Sequence, residues 1–425
     1  MEEVRPVDVT PSARRLTTSL RDIGYDFETA LADIVDNSVS ADATRIDVTI
    51  TFDGPASRVT VADDGTGMTR AQLQEALRFG SRRPYEQGDL GRFGLGLKTA
   101  SLSQCRRVTV VTNHALRRPR IVAHRLDLDH IEATDRWEII GADPGPAVEA
   151  ATEWLRSTTG TVVIWELLDR VLPDARPHDG WARRRIEALG RRASTYLGMV
   201  FHRFIEGTAG EWPLTITING EKVRAWNPLA PDEPHRLALP RQVFELTVGR
   251  RTGRVLVEPV VLPPRDAFSS IEEFERLAGP GKWNRQQGFY FYRSDRMVQG
   301  GGWSGLRAVD EHVKLARAAV SFETDVDPLF RVNVAKRRVS LPPELRTMLE
   351  RPVQELCRRA DHRYRSAAPQ RRPAGSGGGA PASPLEDIGL ALKAAAMEVG
   401  EYAALLRVAE RLRDRAPDAA RQLGL

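Results

Sequence analysis

Cysteine and long apolar runs are nearly absent from the chain. Cys105 and Cys357 are its two cysteines, which is too few for a disulfide framework or a cysteine-rich zinc cluster. The sequence has no signal-peptide pattern and no uncharged apolar stretch as long as a membrane span. These absences argue against a disulfide-rich secreted protein and an integral membrane protein. They predict a soluble, cytoplasmic protein that does not enter a membrane.

Lysine is also scarce, since six of the 62 Lys and Arg residues are lysines. The formal net charge of +5 is small for a chain of 425 residues. Arginine clusters at residues 183–185 and 358–372 would permit contact with nucleic acid, but ordinary solvated helix faces have the same composition. Two of the lysines, Lys98 and Lys336, lie in the motifs described below.

Strand and helix patterns divide most of the chain into two blocks. Residues 1–206 open with a polar arm, residues 1–16, and continue with alternating strands separated by short turns. Such strands predict a mostly antiparallel sheet with helices on one face. Residues 207–366 contain more strands, a hairpin signal at Asn219-Gly220 and a long helical pattern, so we expect a second α/β domain.

Two shorter segments follow these blocks. Residues 367–384 are rich in Pro, Gly and Ser, which predicts a flexible linker. Residues 385–425 carry apolar residues at helical spacing, which predicts a helical C-terminal segment.

The first chemical motif lies on a helix predicted from about Phe27 to Ala41. Its apolar residues have the spacing of one buried face, whereas Asp33, Asn37 and Ser40 stand above one another on a different face. An amide oxygen can bind Mg²⁺ beside a phosphate, and a carboxylate can orient or deprotonate a water molecule. An exposed Asp/Asn pair on an ordinary helix is the alternative.

The second motif is VADDGTGM, residues 61–68, which follows a strand pattern. The Asp63 carboxylate could accept a hydrogen bond from a ligand amino group there. Gly65 and Gly67 would let the backbone pass close to a flat ring. A simple Asp-Gly turn is the alternative.

The third motif is GRFGLGLKTAS, residues 91–101. Its spacing, G-x-x-G-x-G, is neither the Rossmann nor the Walker pattern. Its three glycines precede a helix predicted from about Leu97, and such a loop can offer backbone N–H groups to phosphates, with Lys98 adding a positive charge. A glycine loop that merely caps a helix is the alternative.

A fourth motif, Gly160-Thr161 at the start of a strand pattern, carries no information alone. Together and in this order, the four motifs resemble those of the GHKL superfamily of ATPases, over roughly residues 20–170. This superfamily includes the gyrase B subunit, the ninety-kilodalton heat-shock chaperones, the sensor histidine kinases, MutL and the MORC proteins. The resemblance implies a Bergerat-type fold, in which ATP lies under a mobile lid.

The resemblance therefore implies an α+β chain. A Bergerat-type α/β sandwich would occupy residues 1–206 and bind ATP, with its lid at residues 68–96. An α/β transducer-like domain, similar to the S5 fold, would occupy residues 207–366. A helical C-terminal tail would follow.

The resemblance also implies roles for individual residues. Asn37 would bind Mg²⁺, Asp63 would bind the adenine amino group with support from Thr161, and Asp33 would be the catalytic carboxylate. Glycines of the second motif would line the adenine pocket, and those of the third would wrap the phosphates. The implied nucleotide-binding set is Asn37, Ala41, Asp63, Gly65, Gly67, Met68, Gly91, Arg92, Phe93, Gly94, Leu95, Gly96, Leu97, Lys98 and Thr161.

Two positions depart from the family pattern. Hydrolytic relatives usually carry Glu where this chain has Asp33, and the shorter side chain loses about 1.3 Å of reach. Because general-base catalysis depends on such reach, we expect slow hydrolysis, or an attacking water that is held through a second water. Ser40 stands where several relatives carry Asp.

The second block adds a further resemblance. Residues 328–342 (PLFRVNVAKRRVSLP) resemble the end of a MutL- or gyrase-type transducer, in which a loop lysine reaches the γ-phosphate. Lys336 matches that lysine and would be the second catalytic residue. A solvent-exposed lysine in a basic loop is the alternative. Residues 288–306 resemble a segment of MORC and MutL transducers, which favours that branch.

These resemblances imply an ATP-driven clamp. ATP would close the lid and join two chains into a homodimer, and hydrolysis would release them. DNA or a DNA-processing complex is the client expected by family analogy. A non-hydrolysing ATP-sensing switch is the main alternative. A histidine kinase is disfavoured because every histidine lies at or after His114, and a chaperone because few residues follow the second block.

Overall fold

The structure is a computed structural model in which two compact units, Met1–Ala368 and Pro369–Leu425, are distinguished. No helix among the residues it describes is long and apolar enough to cross a membrane. The described residues are 10–22, 24–80, 96–172, 180–248, 251–331, 339–367, 392, 396, 402–416 and 420.

The first sheet of the larger unit is mixed but mostly antiparallel. Its strands follow the order β5-β4-β3-β6-β2-β1-β7-β8, and β1 and β7 form its parallel pair. The sheet confirms the mostly antiparallel arrangement predicted for the first block. The strands are β1 Arg45–Thr51, β2 Arg58–Asp63, β3 Arg107–Asn113, β4 Val122–Asp127, β5 Ile140–Gly141, β6 Gly160–Glu166, β7 Thr215–Ile218 and β8 Glu221–Lys222.

The sheet to which β7 and β8 belong differs from the prediction. The pattern around Asn219-Gly220 does form the predicted hairpin, β7–β8, but it lies at the edge of the first sheet instead of in the second block. There, Arg45 of β1 is the partner of Thr215. The first sheet therefore extends past residue 206, and a domain boundary at that residue stays a prediction.

Helices cover both faces of the first sheet, because its strands place apolar side chains on both faces. Along β6, Val163 and Trp165 join the core beneath helices α2 (Phe27–Ser40), α4 (Gly96–Leu102) and α7 (Gly180–Val200). Val162 and Ile164 pack with α6 (Pro146–Leu155) on the other face. The prediction of helices on one face missed α6. The helices are α1 Ala13–Arg21, α2 Phe27–Ser40, α3 Arg70–Leu77, α4 Gly96–Leu102, α5 Leu128–Thr134, α6 Pro146–Leu155, α7 Gly180–Val200 and α8 His202–Ile205.

A second sheet with its own core completes the α+β fold that the sequence predicts. Its order is β10-β11-β14-β12-β13, with β9 also paired to β11. Its strands are β9 Leu237–Ala238, β10 Gln242–Val248, β11 Arg251–Val261, β12 Gly288–Arg293, β13 Arg296–Gly300 and β14 Ala316–Phe322. The helices around it are α9 Ile271–Leu277, α10 Lys282–Gln286, α11 Asp327–Phe330 and α12 Pro343–Ala367. The smaller unit contains α13, Tyr402–Arg415.

The hairpin β12–β13 of the second sheet contacts a helix that follows α7 of the first sheet. Its turn residues, Ser294 and Asp295, both have positive φ angles, of 45° and 63°, as a tight two-residue hairpin requires. Arg203 of α8 pairs with Asp295 at 2.8 Å, and the hydroxyl of Tyr292 lies 2.9 Å from Nε2 of His202. The hairpin is thus fastened to the helices that cover the first sheet.

Two glycines of α7 provide a test of how closely other parts of the chain pack against this helix. A Cβ on Gly198 would lie 2.3 Å from the Arg224 carbonyl oxygen, whereas the nearest neighbour of a Cβ on Gly190 would be Ile50 Cδ1 at 3.7 Å. We expect Gly198→Ala to lower the urea midpoint, because the backbone must shift. Gly190→Ala should stabilise the helix by about 0.5–1 kcal/mol, because alanine is the better helix former. Equal midpoints for the two variants would contradict the close approach at Gly198.

Candidate active site

Asp63 is a buried carboxylate at the end of β2, with an exposed fraction of 5%. Its Oδ2 accepts a hydrogen bond from the Ser38 hydroxyl at 2.8 Å, and its Oδ1 accepts from the backbone N–H groups of Gly65 and Thr161, both at 3.1 Å. Burial raises the pKa of Asp63 to about 6, although these hydrogen bonds oppose the rise. The side chain is therefore largely ionised at neutral pH, although its partners among the described residues, a hydroxyl and two backbone N–H groups, are all uncharged.

The glycines of the second motif allow close backbone packing around Asp63. A Cβ on Gly65 would lie 2.6 Å from the carbonyl oxygen of Ala41, the C-cap residue of α2. That same oxygen accepts a hydrogen bond from the Thr66 N–H at 2.9 Å. Gly67 has a φ of +66°, and a Cβ there would lie 2.0 Å from the Asn113 carbonyl oxygen. The second motif is thus folded against the end of the first.

Thr161, from the fourth motif, is bound to a second threonine. Its hydroxyl lies 3.1 Å from the hydroxyl of Thr112 on β3. Thr112 donates to the Gly160 carbonyl oxygen at 2.8 Å and accepts from the Met68 N–H at 2.9 Å. Because Thr112 has one hydroxyl proton, Thr161 is the donor between the two threonines. Two of the predicted site residues, Met68 and Thr161, therefore meet around Thr112.

Asp33 lies inside α2 and is 3% exposed. The Tyr25 hydroxyl donates to its Oδ2 at 2.7 Å, and Arg296 Nη2 lies 4.0 Å from its Oδ1. Burial and the nearby Asp33 carboxylate raise the pKa of Tyr25, which therefore remains a protonated donor. A Cβ on Gly96 would lie 3.5 Å from Asp33 Oδ2, so the end of the third motif is also close to this carboxylate.

Asn37 and Ser40 are exposed along the same helix, in contrast to Asp33. The face predicted to carry the polar residues is therefore buried at Asp33 and exposed one helical turn later, at Asn37. Tyr25 and Arg296 cover Asp33, which explains the difference. The open position of Asn37 leaves its amide oxygen accessible to a ligand.

Lys98 is buried, which the sequence did not suggest. It is 2% exposed, and its ammonium donates to the carbonyl oxygens of Ala76 and Arg78 at 2.8 and 2.7 Å. Burial lowers its pKa to about 8. These contacts tie α4 to the end of α3, and a phosphate contact by Lys98 stays a prediction. Leu97 beside it is half-buried against the first core.

Six of the predicted site residues lie outside the described residues, namely Gly91, Arg92, Phe93, Gly94, Leu95 and Lys336. Within the described part of the chain, no group of three or more His, Cys, Asp and Glu side chains could hold a metal ion. Asn37 as a single protein ligand still fits Mg²⁺, which usually completes its shell with water and substrate phosphates.

Sequence reasoning missed several residues that support this site. Ser38 has the spacing of the apolar face of α2, and a hydroxyl at such a position was the available signal of a buried polar partner. Thr112 occupies an apolar strand pattern and offered a similar signal. Tyr25 and Arg296 carried no signal, because nothing in a sequence pairs a residue with an acid 8 or 260 positions away.

The pKa of Asp63 leads to a prediction about stability. The folded protein binds this proton more tightly than the unfolded chain, whose Asp has a pKa near 3.8. The contribution of Asp63 to the free energy of unfolding therefore falls by about 3 kcal/mol as the pH rises from about 4 to above 6. Asp63→Asn should remove this fall, since its amide can accept from Gly65 and Thr161 and donate to Ser38.

Urea unfolding at pH 4.5 and pH 7.5 tests this expectation. The variant should gain stability relative to the wild-type protein at the higher pH. A constant difference between the two proteins at both pH values would contradict it.

Comparison with protein families supports the motif assignment. Residues 25–161 match the family described as "Histidine kinase-, DNA gyrase B-, and HSP90-like ATPase". The matched segment contains Asp33, Asn37, Asp63 and Thr161, and it ends in β6, before the second sheet begins. No curated protein matches the chain. The match therefore supports the resemblance of residues 25–161 to a GHKL-type ATPase domain, and with it ATP binding.

Proposed function

We propose that this chain is a slow, Mg²⁺-dependent ATPase in which ATP binding drives lid closure and dimerisation. The observation that carries the proposal is the convergence of Asp33, Asn37 and Asp63 on α2 and its C-terminal end, inside the segment that matches the ATPase family. The family match supports ATP binding and hydrolysis, and the contacts around these three residues support their separate roles.

Asp63 is suited to recognise the adenine amino group. An ionised carboxylate has about four lone-pair positions, and Ser38, Gly65 and Thr161 occupy three of them. The fourth position accepts from the amino group. Because the three protein donors hold the carboxylate rigidly, it is already oriented before the nucleotide arrives.

Asn37 and Asp33 serve the phosphate end. The amide oxygen of Asn37, an exposed residue, would hold Mg²⁺, which would neutralise phosphate charge when bound. Asp33, one helical turn earlier, orients the attacking water and accepts its proton. Gly96, next to Asp33, places the end of the glycine loop near the same carboxylate.

The second sheet would couple this chemistry to a larger movement. We propose that residues 68–96 form the lid, that Lys336 contacts the γ-phosphate, and that residues 207–366 act as the transducer. A clamp of the MORC or MutL kind, closing as a homodimer in a DNA-related process, follows by analogy with the resembling families.

A non-hydrolysing ATP-sensing switch is the second candidate. It is favoured by the enclosure of Asp33, whose carboxylate is 3% exposed and accepts from Tyr25. A hydrogen bond to the charged form and a nearby guanidinium both stabilise a carboxylate, and a stabilised carboxylate is a poorer general base.

Phosphate release and nucleotide binding distinguish these two functions. We expect the wild-type protein to release phosphate only with Mg²⁺. Asp33→Asn should still bind labelled ATP but lose about 10²- to 10⁴-fold in turnover, because the water loses its base. Asn37→Ala should lose Mg²⁺-dependent binding as well as turnover. Asp53→Asn, an exposed position just after β1, is the matched control and should retain both.

Each other result has a defined meaning. Tight wild-type binding without turnover would replace the ATPase with the sensing switch, and no binding at all would overturn both. A faster turnover with duplex DNA would support the DNA-related role, and an unchanged rate would contradict it. A monomeric mass with a non-hydrolysable ATP analogue would contradict ATP-driven dimerisation.

A further inference from the structure

Arg296, the first residue of β13, is a buried cation that joins the second sheet to α2. It is 1% exposed. Its Nε lies 2.9 and 3.1 Å from the two carboxylate oxygens of Asp36, and its Nη1 donates to the Met297 carbonyl oxygen at 3.1 Å. Its Nη2 lies 4.0 Å from Asp33 Oδ1. One guanidinium therefore faces two acids on successive turns of the same helix.

The free-energy cost of burying these charges argues against a role in stability alone. Removing an Arg and an Asp from water costs more than a well-packed apolar pair would, so a buried ion pair is weak support for a purely structural role. The location of the pair is more informative. Asp36 precedes the proposed Mg²⁺ ligand Asn37, and Asp33 is the proposed base.

The hairpin sets the position of the guanidinium. Arg296 directly follows the tight turn at Ser294 and Asp295, which Arg203 fixes through its ion pair with Asp295. Phe201, at the end of α7, lies under the guanidinium, with its ring centroid 5.9 Å from Cζ. A shift of β12–β13 would therefore move Arg296, and either α2 follows or the buried pair breaks.

We infer that Arg296 is a positioning residue through which the second sheet holds the Asp33 turn of α2 in its hydrolytic position. The inference rests on the ATPase function proposed above and specifies its regulation. Asp33 is held from one side by Tyr25, in the segment before α2, and from the other by Arg296. Any state of the second sheet that displaces the hairpin would thus slow hydrolysis without directly disturbing Asp63, at the far end of α2.

The test uses two conservative variants of one hairpin. Arg296→Lys keeps the charge but loses the two-oxygen contact with Asp36. Arg293→Lys is the matched control, because Arg293 is similarly buried and pairs at 2.8 Å with Asp327, which is not on α2. We expect Arg296→Lys to lower kcat about 10- to 100-fold with KM for ATP within about twofold, since misplacement of a catalytic group costs this much. Arg293→Lys should keep kcat within about twofold.

A double variant separates positioning from structural support. Arg296→Met leaves Asp36 without its guanidinium partner and should lower the urea midpoint. Adding Asp36→Leu should restore that midpoint, because an apolar pair replaces the ion pair. If Arg296 positions Asp33, kcat remains low in the double variant although stability recovers. Recovery of kcat together with stability would overturn the inference.

The two proposals fail in different ways. A wild-type protein that turns over ATP, with Arg296→Lys equally active, would overturn the role of Arg296 and leave the ATPase intact. A wild-type protein without turnover would overturn the ATPase, and the positioning role with it.

Discussion

The near-complete burial of α2 is the constraint on which the other features depend. Ten of its fourteen residues are buried, and four of these have polar side chains. Thr29 binds the N-cap residue Asp26, whereas Asp33, Asp36 and Ser38 must find partners outside the helix. Each partner comes from a different part of the chain. Tyr25 precedes the helix, Asp63 ends a strand of the first sheet, and Arg296 begins a strand of the second. The helix is therefore the point at which the candidate site and both sheets meet.

The same residues make the protein less stable than it could be. A core helix with apolar residues at these positions would avoid the cost of burying Asp33, Asp36 and Arg296. Asp63 shows that cost most directly, because its burial raises its pKa to about 6. Proteins commonly sacrifice stability at functional sites in this way. Buried charge around one helix is thus a physical argument for function that does not depend on any family resemblance.

Sequence patterns predicted where helices and strands lie along the chain better than they predicted which strands pair with each other. Period-two alternation predicted β1 and β2, and the helical spacing of apolar residues predicted α2 to within one residue at its C-terminal end. The same patterns did not show that β7 joins β1, because edge pairing across so many residues leaves no local signal. They did not show that RSDR, residues 293–296, is a tight turn either, since it has no glycine or asparagine where the backbone takes positive φ angles.

The site was predicted in the same uneven way. The order of the motifs predicted that Asp33, Asn37 and Asp63 share one site. The structure puts the first two on α2 and Asp63 at the end of β2, bound to Ser38 of that helix, and their roles stay predictions. The enclosure of Asp33 by Tyr25 and Arg296 depends on tertiary contacts that no sequence spacing reveals. The contacts of the Lys98 ammonium with the end of α3 likewise left no signal in the sequence, and its phosphate contact stays a prediction.

The parallel pair of β1 and β7 has a consequence for synthesis on the ribosome. One edge of β1 pairs with β2, but the other stays open until β7, which begins at Thr215, has been made. At about 5–20 residues per second, that interval is roughly 8–33 s. An open strand edge can pair with another chain, and charged side chains discourage such pairing. Arg45 and Asp47, ion-paired at 2.7 Å on β1, supply that charge where the nascent sheet is exposed for longest.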